Sequence, residues 1–227
     1  MPRRITPLIT GQIYHSFNRG IDHRITFSDK RELNNAIETL SYYRFKNLPV
    51  KYSVFKQWSQ QRRSELKNSI KKTQKSTDIL SYCLMPNHFH LLLRQKADNG
   101  ISRFLSNFQN SYTRYFNTKH ERTGPLFLDQ FKAVRVETEE QLIHVSRYIH
   151  LNPYSSYIVK SIEQLENYPW SSYPEYLNIK KGFCEIEDII VNFKNFGNYR
   201  KFVTDQADYQ RKLEGIKHLT LEEKYNN

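Results

Sequence analysis

The run Asn87-His88-Phe89-His90-Leu91-Leu92-Leu93 constrains the fold more than any other stretch of these 227 residues. A strand places positions i and i+2 on one face, so His88 and His90 project together while Phe89, Leu91 and Leu93 point the other way, into a core. An apolar strand that spends two positions on imidazoles presents a pair of nitrogen ligands, and a divalent metal is the partner that suits them. The plainer alternative is two histidines on a half-exposed strand. Apolar runs at 79–84 and 88–94 flank Met85-Pro86-Asn87, whose proline and asparagine favour a tight reversal, so the histidines are expected at the start of the second strand of an antiparallel hairpin.

The rest of the chain alternates between strand and helix signals. Residues 12–18 alternate and stop at Arg19-Gly20, which reads as a first strand closed by a turn. Ser28-Asp29 caps a helix with Leu33, Ile37, Leu40 and Tyr43 at helical spacing, ending near Asn47-Leu48-Pro49. Residues 51–75 carry eight Lys and Arg with few large apolar side chains, which fits a solvated helix, a loop or a phosphate-contacting arm equally. Ile101, Leu105, Phe108, Tyr112 and Tyr115 predict an amphipathic helix that ends before Thr123-Gly124-Pro125, and 131–136 predicts a further strand. Thr138 with Gln141 forms a capping box for a helix striped by Leu142, Val145 and Ile149 and closed by Pro153. Ile186, Ile189, Ile190 and Phe193 suggest one more helix, and the extreme C-terminus is expected to fray.

Composition narrows the partners. A net charge of +12, spread along the chain, and a pI near 9.6 favour a polyanion, with nucleic acid ahead of an acidic membrane surface. No apolar run is long enough for a membrane span and the start lacks a secretory core, so the expected location is the cytoplasm. Cys83 and Cys184 lack Cys-x-x-Cys spacing and read as reduced structural thiols.

A second constellation lies on the helix that opens at Thr138. Tyr148 and Asn152 stand four apart, a phenol and an amide on one face a turn from each other. Alone, Tyr148 is one of sixteen tyrosines packing on the sheet, and Asn152 a polar residue before Pro153. Beside His88 and His90 they supply a nucleophile, two imidazoles and an amide oxygen, the set that single-metal phosphodiester cleavage needs.

Three blocks, Met85-Pro86-Asn87-His88-Phe89-His90-Leu91-Leu92-Leu93, Arg147-Tyr148-Ile149-His150-Leu151-Asn152-Pro153 and Trp170-Ser171-Ser172-Tyr173, resemble the signature of the REP-associated tyrosine transposases. These are single-tyrosine transposases of the HUH (histidine, hydrophobic, histidine) nuclease superfamily. The resemblance runs from about residue 10 to 178 and implies an α+β fold, a ferredoxin-like antiparallel sheet flanked by helices, over 1–178, with a partly helical C-terminal extension over 179–227. It implies that His88, His90 and Asn152 hold one divalent metal ion, Mg²⁺ or Mn²⁺, and that Tyr148 is the nucleophile. The activity implied is a single-stranded DNA endonuclease and strand transferase acting at DNA hairpins with a single-stranded flank through a 5′-phosphotyrosine, by a monomer or homodimer that binds no membrane. Arg19, Lys132 and Arg135 are candidate phosphate contacts. The chain departs from many relatives at Gln130, where an arginine is common, which puts a phosphate contact there in doubt. A histidine-triad hydrolase would need a histidine where Leu92 stands, and a zinc module built on Cys83, His88 and His90 lacks a fourth ligand. The rival of another class is a DNA- or RNA-binding protein that keeps the fold without cutting.

Overall fold

The structure is a computed structural model that describes residues 7–71 and 73–213. The chain runs β1 (Ile13–Arg19), α1 (Lys30–Tyr43), α2 (Tyr52–Gln57), α3 (Gln60–Lys71), β2 (Thr77–Met85), β3 (His88–Gln95), α4 (Gly100–Lys119) and β4 (Lys132–Val136). It continues through α5 (Glu139–Ser155), α6 (Ile162–Glu166), α7 (Tyr173–Tyr176), α8 (Glu187–Ile190) and α9 (Phe196–Thr204). The strands form one sheet in the order β2-β3-β1-β4, with β1 antiparallel to both neighbours. That order, with helices after the first and third strands, is the ferredoxin-like α+β arrangement. Among the described residues no helix is long and apolar enough to cross a membrane.

The described residues fall into two compact units, one of 7–79 with 86–136 and one of 80–85 with 137–213. In the first, one face of the sheet is a conventional core. Tyr14, Phe89, Leu91 and Leu93 are buried there together with Leu40 of α1 and Phe104, Leu105, Phe108 and Tyr112 of α4. Phe89 meets Phe108 edge to face at 5.3 Å, and the buried Tyr112 hydroxyl donates to the Thr26 carbonyl at 2.6 Å. Asp29 caps α1 by accepting from the Arg31 and Glu32 amides. The buried residues of that helix are Glu32, Asn35, Ala36, Thr39, Leu40, Tyr42 and Tyr43, so Leu33 and Ile37 sit on the margin. The chemistry explains the offset: Glu32 is held by Ser28, Lys119 and His120 at 2.6–2.7 Å, and a buried carboxylate with that many donors can occupy a core position. Gly100 opens α4 where a Cβ would lie 2.2 Å from the Ser76 carbonyl, so only glycine fits the approach. The basic stretch after residue 51 forms the short α2 and the solvated α3, in which only Ile70 is buried.

In the second unit, α5 is the organiser. Thr138 accepts from the Gln141 amide at 3.1 Å, and the Gln141 side chain accepts in return from the Glu137 amide. Pro153 does not close the helix, which runs on to Ser155 with Pro153 inside it. A proline in the last turn forfeits a single hydrogen bond, and the Ser156 amide restores the ladder by donating to the Asn152 carbonyl. The helix expected around residues 186–193 is a single turn, Glu187–Ile190, and the longer α9 follows it. The frayed extreme expected at the C-terminus lies outside the described residues.

His150 anchors α5. It is fully buried, its Nδ1 2.7 Å from the Tyr199 hydroxyl and its Nε2 2.8 Å from the Ser172 hydroxyl. Burial pushes its pKa down to about 3. The unfolded chain, titrating near 6.5, therefore takes up a proton before the folded chain does, so this contribution is whole above pH 6.5 and is lost as pH falls from there toward 3. Between pH 7 and pH 5 the His150 share of wild-type unfolding free energy is expected to fall by about 2 kcal/mol. Urea denaturation of wild type and His150→Gln at both pH values checks it: the variant should lose less than the wild type by that amount.

Candidate active site

The β1–β3 register, in which Phe17 faces His90 and Arg19 faces His88, puts Ile13, His15, Phe17 and Arg19 on one face of the sheet with His88, His90, Leu92 and Arg94. Lys132, opposite Phe17 on β4, joins them. This is the face away from the Phe89–Phe108 core. His88 and His90 have ring centroids 5.0 Å apart and nearly perpendicular rings, so the hairpin expected from the sequence does place two imidazoles side by side.

A third imidazole that sequence reasoning passed over lies against them. His15 stacks on His90 at 5.2 Å and its Nε2 is 3.0 Å from Nδ1 of His90, with Phe17 tilted against both rings at 5.1 and 5.6 Å. The signal was present in the alternation of β1, where position 15 shares a face with 17 and 19, but nothing local says which strand will lie beside it. Burial, then the nearness of His88 and His15, drives the pKa of His90 well below its ordinary value. Burial lowers His15 to about 4. Both rings are neutral at pH 7, which is the state that ligates metal.

On α5, in the other unit, Tyr148 is half-buried and Asn152 buried. Asn152 Nδ2 donates to the Tyr148 carbonyl at 2.8 Å, which fixes the amide one turn below the tyrosine and leaves Oδ1 as the atom a cation would use. Gln210 Nε2 donates to the same carbonyl at 3.3 Å. Two neighbouring tyrosines differ. Tyr154 donates its hydroxyl to Asp208 at 2.9 Å under the Arg211 guanidinium, and Tyr157 is exposed.

The donor set fits a divalent ion as a partial site. Among the described residues no cluster of three or more His, Cys, Asp or Glu is arranged to hold a metal, so two imidazoles need an oxygen donor of another kind to complete a shell, such as an amide or water. Of the expected phosphate contacts, Arg19 and Lys132 are exposed on the imidazole face, Arg19 with Nη1 3.0 Å from His23 Nε2. Arg135 pairs with Tyr14, on the opposite face, and donates to Gln12 Oε1 at 2.9 Å. A groove of about 1540 Å³ on the helical side of the first unit, which the sequence did not reveal, gathers Lys46, Lys51, Arg103, Arg114 and Arg122.

The family described as "Transposase IS200 like" matches residues 40–152, a span that takes in His88, His90, Tyr148 and Asn152. Among solved structures, one described as the REP-associated tyrosine transposase bound to a REP hairpin is similar in fold at a TM-score of 0.52 and 14% sequence identity. The likeness covers 78% of this chain and 86% of that one. No curated protein matches the chain.

Proposed function

This chain belongs to the IS200-like transposase family, and we propose that it is a metal-dependent, single-strand DNA endonuclease and strand transferase that acts at hairpins through Tyr148. The observation that carries the reading is the pair of imidazoles, His88 and His90, side by side on the sheet face that also bears Arg19 and Lys132. The family match includes Tyr148 and Asn152 as well.

In this reading His88 and His90 hold one divalent ion with help from Asn152 Oδ1; when bound, that ion neutralises charge on the scissile phosphate and favours in-line attack. Imidazole nitrogens suit Mn²⁺, and abundance favours Mg²⁺. Tyr148 Oη gives up its proton and attacks phosphorus. An O–P bond to the tyrosine forms, the bond from phosphorus to the 3′-oxygen breaks, and that oxygen takes a proton to leave as a 3′-hydroxyl. Attack on the phosphotyrosine by another 3′-hydroxyl reverses the step and joins strands with no outside energy source. Arg19 and Lys132 pair with neighbouring phosphates, and the cation-lined groove on the helical side offers counter-charge to a stem.

The partner is DNA with a stem and an unpaired flank, bound in the cytoplasm. Affinity for a hairpin with a 5′ flank is expected to exceed that for plain duplex and to fall by roughly 0.7 to 0.9 log units per phosphate neutralised for each log unit of salt. Titrations of matched hairpin, duplex and single strand at several salt concentrations, with cleavage followed in Mn²⁺ and in EDTA, test the reading. Cutting confined to the unpaired flank and stopped by EDTA supports it. Equal binding to all three without cutting would favour a nucleic-acid-binding protein that keeps the fold and has no catalytic role.

A further inference from the structure

The two imidazoles read as metal ligands are engaged at the same ring atom. Asn87 Oδ1 lies 2.6 Å from Nδ1 of His88, and Asn87 Nδ2 donates to the His23 carbonyl, so the amide is turned with its oxygen toward the ring. An amide oxygen can only accept, hence Nδ1 of His88 carries the hydrogen and its lone pair is on Nε2. Nδ1 of His90 meets Nε2 of His15 at 3.0 Å. One of these two nitrogens must donate. If His15 donated, the hydrogen of His90 would sit on Nε2 and block the atom that matches the ligating atom of His88.

We propose that His15 is a positioning residue for His90: its Nε2 accepts from Nδ1–H of His90, which holds His90 in the tautomer whose Nε2 faces a metal, as Asn87 does for His88. The inference rests on the reading of His88 and His90 as ligands. Geometry supports the role. The stacked rings, with Phe17 against both, leave His90 little freedom to turn, and an ion would bind at Nε2, the ring nitrogen other than the one that His15 contacts. Partners behind a ligating histidine commonly fix its tautomer and raise its basicity, and losing one costs roughly 10 to 100-fold in metal affinity.

The test uses the full chain with ¹⁵N-labelled histidine. Long-range ¹H–¹⁵N spectra of metal-free protein report the tautomers, and water-proton relaxation reports Mn²⁺ affinity. His90 is expected to carry its hydrogen on Nδ1 in the wild type and to shift toward Nε2–H in His15→Leu, whose Mn²⁺ affinity falls by about 10 to 100-fold. His15→Gln, which can accept through Oε1, should recover most of both. An Nε2–H tautomer at His90 in the wild type, unchanged Mn²⁺ affinity in His15→Leu, or equal losses in the Leu and Gln variants would each overturn the role of His15. Wild-type Mn²⁺ binding that survives His88→Ala and His90→Ala would instead overturn the ligand reading, and the tautomer spectra would still decide His15.

Discussion

Tyr148→Phe is expected to abolish the covalent protein–DNA adduct and to slow strand cleavage by at least about 10³-fold, the scale of losing a nucleophile for which no other group substitutes. Hairpin affinity should stay within roughly twofold, because the change removes one oxygen from a half-buried side chain and a substitution of that kind moves free energies by about 0.5 kcal/mol or less. Gel shift for binding and denaturing electrophoresis for the adduct separate the two quantities. The other tyrosines set the contrast. Tyr112 has its hydroxyl in the core on the Thr26 carbonyl and Tyr154 has its own on Asp208, so Tyr112→Phe should cost stability and leave adduct chemistry intact in the folded fraction.

His88→Ala and His90→Ala are expected to eliminate cleavage that depends on Mn²⁺ or Mg²⁺, while circular dichroism reports a folded chain. His88 is the cleaner test because it is half-exposed, whereas His90 is buried and packs against His15 and Phe17, so its loss also leaves a small cavity. Asn152→Ala should weaken metal affinity by about 10 to 100-fold and spare the helix, since only the bond to the Tyr148 carbonyl goes with it. Wild-type cleavage that persisted in EDTA would remove the metal from the account and the role of both histidines with it.

How much of this was legible in the sequence depends on the range of the interaction. The hairpin at Pro86-Asn87, the Asp29 and Thr138 caps and the alternation of β1 are written within a few residues, and the strands and helices they start are found where those signals stand. The ferredoxin-like order came from the family resemblance, and the sheet order bears it out. Pro153 misled because a proline's cost depends on which carbonyl it orphans, and near a helix end that cost is small. The buried stripe of α1 was offset because Glu32, polar in any local pattern, is satisfied by Lys119 and His120 nearly ninety residues away. His15 was missed for the same reason. Its meaning depends on a ring 75 residues distant, and no window of sequence contains both.

The central claim is that Tyr148 becomes covalently attached to DNA. The most direct measurement is tandem mass spectrometry of the trypsin-digested adduct formed with a flanked hairpin and Mn²⁺, read on the fragment from Tyr148 to Lys160, which holds Tyr148, Tyr154 and Tyr157. The nucleotide is expected on Tyr148, absent when EDTA is present during the reaction and absent from Tyr148→Phe. A nucleotide on Tyr154, Tyr157 or Tyr115, or cleavage of the hairpin flank with no adduct on any tyrosine, would contradict it.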